Sequence, residues 1–417
     1  MADLDQVDVF VEISGEDVLV GALRTYERRG QSITFEYATD FIGDPRSYEI
    51  DPALPLSTGV FRPPAGKTLF NVFSDSAPDR WGQGLLRRRE RDRARRAHTT
   101  PRTLGEADFL FGTRDELRQG AVRLRDPATH TFLAPADRGV PSLVELPTLL
   151  AASDVVDTDS PESEAIKDLI AAGGSLGGAR PKASVRLPTG GLAIAKFPRP
   201  SQDSWDVTGW ERVEAVLAER AGVQTARSEL VRVAGRHVLL IERFDREAGS
   251  RIGFSSALTM LEASDLEPRS YLEIGEVIAR FSPSPTAELE QLFRRMVFSI
   301  LTSNTDDHLR NHGFLRADHG WHLSPAYDMN PNPEGVGQQT TAIDLDDRSA
   351  SIELALGVAG HFRLTAGQAK EVVTEIERAT SPWREVATGL GIKVSELGRM
   401  EAAYETSERA LARRIVA

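Results

Sequence analysis

The chain has 417 residues, enough for two or three domains at roughly 100–200 residues each. Its 50 Lys and Arg against 62 Asp and Glu give a formal net charge of −12, which argues against a chain that coats nucleic acid by itself but leaves room for a local basic patch. It has no cysteine, which excludes disulfide scaffolds, thiolate metal sites and cysteine nucleophiles and suits a reducing cytosol, so catalysis would have to come from carboxylates, Lys, His, Ser and a bound metal. No apolar run approaches the ~18 residues of a membrane span, and the start has neither a basic nor an apolar leader region, so a cytoplasmic chain without signal peptide is expected.

The first forty residues read as β. Val7, Val9, Val11 and Ile13 alternate with Asp8, Phe10 and Glu12; Gly15 breaks the pattern, and Val18–Val20 and Ile33–Phe35 suggest further strands of a small sheet. Ser74–Asp79 is turn chemistry, and a helix is expected from about Arg80. Seven arginines lie between Arg87 and Arg96, interrupted by Glu90 and Asp92. They fit a solvated helix face, or a patch for a partner or a DNA backbone. Residues 151–164, poor in large apolar side chains, suggest a domain boundary. The glycine-rich run Ala172–Lys182 follows, then a hairpin, Ala183–Leu187 and Leu192–Phe197 around Pro188–Gly191. A helix is expected over 208–221, and a second hairpin, Leu230–Val233 and His237–Ile241, around Ala234-Gly235. Leu289, Leu292, Phe293, Met296, Val297, Ile300 and Leu301 recur at helical spacing after Thr286, which can cap the start. Residues 365–379 and 395–415 look like surface helices. The order is a small β/α domain (1–150), a β-rich lobe opening on the glycine loop (151–246) and an α-rich lobe (247–417).

Three segments carry chemistry. In the glycine loop, Gly173 to Lys182, consecutive glycines let backbone N–H groups approach phosphate oxygens, and Lys182 can add a charge. It is not a Walker A loop, since no Gly-Lys-Ser/Thr opens a helix. Lys196 stands on a short apolar strand, as the phosphate-pairing lysine of protein kinases does; an edge lysine reaching for solvent reads equally well. Asp306 and Asn311 have the Asp-x4-Asn spacing of a kinase catalytic loop, and Asp328 follows where a second Mg²⁺ ligand belongs. His308 and His312 form too sparse a set for zinc.

Together these residues resemble the HipA family of bacterial serine/threonine kinases, the toxins of type II toxin–antitoxin modules. Phe73–Gly82 resembles the family's N-terminal signature, Ser175–Lys182 its glycine loop, Ile241–Arg246 the segment joining the lobes, and Asn304–Asn311 and Tyr327-Asp328 its catalytic and metal-binding motifs. The resemblance implies an α+β fold, two-lobed and protein-kinase-like, with an N-terminal β-rich subdomain and an α-helical C-terminal lobe. It implies Asp306 as catalytic base, Asn311 and Asp328 as Mg²⁺ ligands and Lys196 as partner of the ATP phosphates. Gly177, Gly178, Ala179, Arg180, Lys182, Glu242, Arg243, Phe244 and His308 would complete the nucleotide site, Glu242 and Phe244 at adenine. Glu211 falls at the family's helix acid, and Ser175 matches the serine whose autophosphorylation turns the kinase off, as a phosphate there adds about −1.5 to −2 charges beside those of ATP. Arg310 stands where many members have Lys, and Leu176-Gly177-Gly178 also departs slightly from the family pattern.

The family implies a helix-turn-helix antitoxin (HipB-like) partner, operator DNA bound through it, and a protein substrate in translation. Two other readings stand beside the active toxin kinase. One is a small-molecule or lipid kinase, because Asp306–Asn311 also resembles the Asp-x-His-x-x-Asn of phosphoinositide kinases. The other is a catalytically dead co-repressor of a DNA-binding antitoxin.

Overall fold

Alternation of valines with polar residues builds the first strand, β1 (Gln6–Ile13), whose Val7, Val9 and Val11 are buried. Phe10 is buried too, against the expected alternation. The pairing of β1 with β2 (Glu16–Tyr26) shifts register between Val9 and Phe10, and this bulge turns Phe10 under Arg125 and against Phe132. The computed structural model of the protein describes residues 5–26, 32–134, 139–157, 169, 180–317, 320–335 and 337–416. The glycine-loop positions Ser175, Gly177, Gly178 and Ala179 lie outside the described residues. By contacts the chain forms two compact units, Met1–Ser201 with Asp245–Ser255, and Gln202–Phe244 with Ser256–Ala417.

In the first unit, β3 (Ser32–Tyr37), β4 (Val60–Phe61) and β5 (Val122–Arg125) complete an antiparallel sheet in the order β4-β3-β2-β1-β5. Its apolar face packs on Phe70, Phe73 and Leu110. Gly21 is required where β2 crosses β3, because a Cβ there would stand 2.1 Å from the Glu36 carbonyl oxygen. Ser74–Ser76, read as turn, instead close a short helix, Asn71–Ser76; Pro78 cannot continue it. The next helix, Arg80–Arg96, starts as expected, capped by the Asp79 carboxylate on the Gly82 N–H at 2.8 Å. The Arg118 guanidinium is buried and donates to the carbonyls of Ser76, Leu110 and Thr113, tying two helix ends together. Residues 151–157 belong to a helix, Leu146–Asp157, and only 158–164 of the expected boundary lie outside the described residues. The expected hairpin forms, as β6 (Lys182–Arg186) and β7 (Leu192–Lys196), with Lys182 opposite Lys196.

The second unit opens on the helix Val207–Arg220 and the hairpin β8 (Ser228–Val233) and β9 (Arg236–Glu242), turned by Ala234 and Gly235 at positive φ. The apolar helix Pro285–Leu301 is present, but its N-cap is Ser284 rather than Thr286, with Pro285 at the first turn. Ala366–Thr380 is capped by a Thr365–Gln368 box. The expected helix over 395–415 is two, Val394–Tyr404 and Ser407–Val416, broken at Glu405-Thr406. No helix of the described residues is long and apolar enough to cross a membrane.

Trp383 and Tyr404 stack at the heart of this unit, with Trp210 tilted against both. Beside them the Tyr404 hydroxyl donates to the Glu214 carboxylate. Burial pushes Glu214 up to about 7, against the pull of the Tyr404 and Thr302 hydroxyls and Arg409. The folded carboxyl keeps its proton to higher pH than the unfolded one near ~4.3. The stability it gives is therefore fully present below that unfolded value and is lost as pH rises through about 7. In calorimetry across pH 4.5–8, Glu214→Gln should flatten that decline in the second unit's melting temperature; parallel pH profiles for the two proteins would contradict it.

Candidate active site

The signature Phe73–Gly82 does structural work on the strand that leaves the glycine loop. The Lys182 ammonium lies 2.6 Å from the Asp79 carboxylate, both side chains buried, while the Trp81 indole N–H donates to the Lys182 carbonyl at 3.0 Å. Burial pushes the Asp79 carboxyl up, opposed by Lys182 and the Gly82 and Trp81 N–H groups. Lys182 is thus an internal ion-pair partner at the start of β6, and Arg180 precedes it, half-buried. Lys196 ends β7 and is buried.

In the second unit the segment 302–312 follows the buried helix Pro285–Leu301. Ser303 takes a left-handed φ of 52° and its hydroxyl donates to the Ala403 carbonyl at 2.8 Å, turning the chain sharply. Asn304 is buried: its amide donates to the Ser299 hydroxyl (3.2 Å) and its oxygen accepts the Asn330 N–H (3.2 Å). It staples this loop to the segment that follows Asp328, a role its place at the motif's edge does not announce. The Thr305 carbonyl accepts both the N–H and the hydroxyl of Thr340, and the Asp307 carbonyl accepts the Thr341 hydroxyl at 2.6 Å.

Between these pinned residues the Asp306 carboxylate is exposed. Its own carbonyl accepts the His308 N–H (2.9 Å) and the Asn311 amide (3.1 Å), so the buried Asn311 turns back on the loop. Partial burial pushes the Asp306 carboxyl up; His308 opposes this, and Asp328 and Asp307 add to it. Asp307 points the other way. Its buried carboxylate receives the Tyr271 hydroxyl, lies 3.2 Å from His312, and accepts the Ser299 hydroxyl at 3.4 Å. Burial alone would raise it, but His312, Tyr271 and His308 hold it below the ordinary range. Asp328 does not end a strand: Gly320–Leu323 stops earlier, and Asp328 sits in a loop at φ 57°. The preceding Tyr327 donates to the Arg310 carbonyl at 2.6 Å, and Arg310 pairs with Asp265 at 2.9 Å. Phe244 packs on Tyr327 with centroids 5.4 Å apart, joining the Glu242-Arg243-Phe244 end of β9 to this loop; Glu242 is exposed and Arg243 buried.

The structure therefore brings Asp306, His308, Asn311, Asp328 and Phe244 into one neighbourhood of the second unit. Among the described residues no three His, Asp or Glu side chains converge as a closed metal cage. A hard cation would be held by the Asp328 carboxylate and the Asn311 oxygen, completed by oxygens of substrate and water, which suits Mg²⁺. The nearby Asp328 carboxylate adds to the upward push on Asp306, as two acids that could face one ion would.

Comparison with known proteins follows the same outline. The family model of the HipA-like C-terminal domain matches residues 174–383, and that of the HipA N-terminal domain residues 11–104. A Sinorhizobium fredii protein named "Putative kinase Y4dM" is 27% identical over 209 residues, 46% of this chain and 50% of that protein. The chain thus spans about half the length of the curated relative it matches. It is similar to a chain of the Shewanella oneidensis complex of HipA, HipB and operator DNA, with a TM-score of 0.66 at 15% identity over 98% of this chain and 97% of that one. This likeness shows a common α+β fold. The Helicobacter pylori kinase CtkA aligns over 57% of this chain and 95% of its own, with 13% identity and a TM-score of 0.38.

Two substitutions probe these contacts. Lys182→Met leaves the buried Asp79 carboxyl without its partner and should destabilise the first unit by about 3–5 kcal/mol, while the double variant Asp79→Leu/Lys182→Met should recover much of that loss. Chemical denaturation of the three proteins checks it, and a harmless single substitution would contradict it. Tyr271→Phe removes a donor that lowers Asp307. Stability from a depressed carboxyl is present above the unfolded value near ~3.9 and lost as pH falls through the folded one. The variant should therefore lose its native near-UV signal at a higher pH than wild type on acid titration.

Proposed function

Because the chain belongs to the HipA family, we propose that it is an ATP- and Mg²⁺-dependent serine/threonine protein kinase, the toxin of a type II toxin–antitoxin module. The observation that carries this reading is the loop 304–311: Asp306 is presented to solvent while Thr305 and Asp307 are fixed on either side and Asn311 is folded back beside it. Asp306 would take the proton of the attacking hydroxyl as its oxygen bonds to the γ-phosphorus and ADP leaves. Bound Mg²⁺ supplies charge neutralisation on the transferring phosphates. Asn311 and Asp328 hold it, and Lys196 pairs the phosphates. Phe244 and Glu242 hold adenine, with Arg243, His308, Arg180 and the loop Gly177–Ala179 around the nucleotide.

Further readings rest on the family. The protein acts in the cytoplasm on a translation component to arrest growth, and phosphorylation of Ser175 switches it off. The chain divides functionally at about residues 150 and 246. Its partner is a helix-turn-helix antitoxin that carries it to operator DNA; a HipA chain of similar fold was solved with HipB and operator DNA.

Purified wild type with Mg-ATP and whole-cell protein should transfer phosphate to protein and to Ser175, while Asp306→Ala loses about 10²–10⁴-fold in rate. Expression of wild type, but not of Asp306→Ala, should arrest growth. Retained transfer in Asp306→Ala, or transfer to lipid in place of protein, would sink the reading.

A further inference from the structure

Two carboxamides follow Asp328, and the function proposed above uses neither. Asn332 is fully engaged within the fold. Its N–H donates to the Ser303 carbonyl at 3.0 Å, its amide nitrogen to the Thr305 hydroxyl at 2.9 Å, and its oxygen accepts the Glu334 N–H at 2.9 Å. Asn330 is different. Its backbone N–H is fixed on the Asn304 oxygen at 3.2 Å, and its amide nitrogen donates to the Asp328 carboxylate at 3.4 Å. Its amide oxygen is buried and accepts no hydrogen bond among the described residues. Turning the amide over would set oxygen against oxygen at Asp328 and bury the NH₂ group without an acceptor, so the carboxylate fixes this orientation. A buried acceptor without a donor is costly, and native folds satisfy one with ordered water or keep it at a functional site.

We propose that Asn330 is the positioning residue of the cation site. Its amide nitrogen fixes the rotation of the Asp328 carboxylate, and its buried oxygen accepts a hydrogen from a water that the cation carries. This rests on the reading of Asp328 as a cation ligand. Mg²⁺ demands near-octahedral geometry and keeps several waters, so a carboxylate that turns freely serves it poorly. Groups that hydrogen-bond a ligating carboxylate orient it, and they matter to affinity almost as the ligands do. The backbone points the same way. Asp328 stands at φ 57°, a left-handed conformation that a non-glycine residue keeps only where its surroundings hold it. Tyr327 holds it on one side through the Arg310 carbonyl, and Asn330 on the other through Asn304. Asn304 donates to Ser299, and Ser299 to Asp307, so hydrogen bonds run unbroken from the Asp328 carboxylate to that of Asp307. An aspartate at 330 could not do this work, since it has no N–H to give and would repel Asp328.

The test is calorimetric titration of the full-length protein with a non-hydrolysable ATP analogue, once in Mg²⁺ and once in EDTA, beside a thermal melt without ligand. The quantity read is the gain in affinity that Mg²⁺ confers. Asn330→Leu keeps the shape and removes both amide groups. It should cut that gain by about tenfold or more, while affinity in EDTA stays within about twofold of wild type. Because it also removes a buried acceptor that has no donor, its melting temperature should be unchanged or raised. Asn330→Ala, which removes the same amide without added bulk, should show the same selective loss. Asp328→Ala should lose the gain at least as completely, and Asn330→Leu/Asp328→Ala should lose no more than Asp328→Ala alone, since both act on one ligand. The inference is overturned if both variants at 330 keep the wild-type gain, or if they lose as much affinity in EDTA as in Mg²⁺, which a merely structural role would give. If Asp328→Ala itself keeps the gain, the cation reading of that aspartate falls and this inference with it; if only Asp328→Ala loses it, the reading stands and the role of Asn330 fails.

Discussion

The buried carboxylate of Asp307 is the constraint on which the second unit's loop depends. A charge taken out of water is costly unless partners replace the lost hydration. Asp307 has Tyr271 from the helix Tyr271–Phe281, Ser299 from Pro285–Leu301, and His312 from the end of its own loop. Three elements must converge to keep it charged, so the loop has one way to lie. Its carbonyl, held by Thr341, and that of Thr305, held by Thr340, tie it also to the segment after Asp328. Asp306, in the turn Thr305-Asp306, stays exposed beside this inward anchor.

The first unit uses the same device on a different strand. Asp79 caps a helix, and with the same carboxylate it holds Lys182, the first residue of β6. The signature thereby fixes where the chain leaves the glycine-rich segment. The segment Ile241–Arg246 is likewise divided in purpose. Its first residues end β9 in the second unit, whereas Asp245 accepts the Gly120 N–H at 2.8 Å and Arg246 donates to the Arg118 carbonyl in the first.

Much of this was readable in sequence because it rests on local chemistry. Period-2 valines, the turn glycines Gly15 and Gly235, and the 3.6-residue repeat of Leu289–Leu301 each dictate an element without help from the rest of the chain. Motif order carried the family, since Asp306, Asn311 and Asp328 keep their spacing whatever lies between. What sequence did not yield was long-range partnership. Lys182 reads as a phosphate ligand next to glycines, and only the tertiary structure places it against a carboxylate 103 residues away. Asn304 stands at a motif's edge and Tyr271 outside any motif, and their partners come from other elements. Phe10 broke its alternation through a bulge, which no propensity at that position signals.

Asp306 and Asp307 share composition and differ only in surroundings, and that difference is what a proton-transfer site needs. Partial burial and the nearby acids raise Asp306, which favours its taking a proton, while His312 and Tyr271 lower Asp307, which favours its ionised form. The fixed negative charge of Asp307 contributes to raising Asp306 and also draws the loop inward. Replacing that charge by a neutral amide would therefore act twice, releasing the loop and lowering the basicity of its neighbour. The pair works as a unit, and neither carboxylate can be assigned a role without the other.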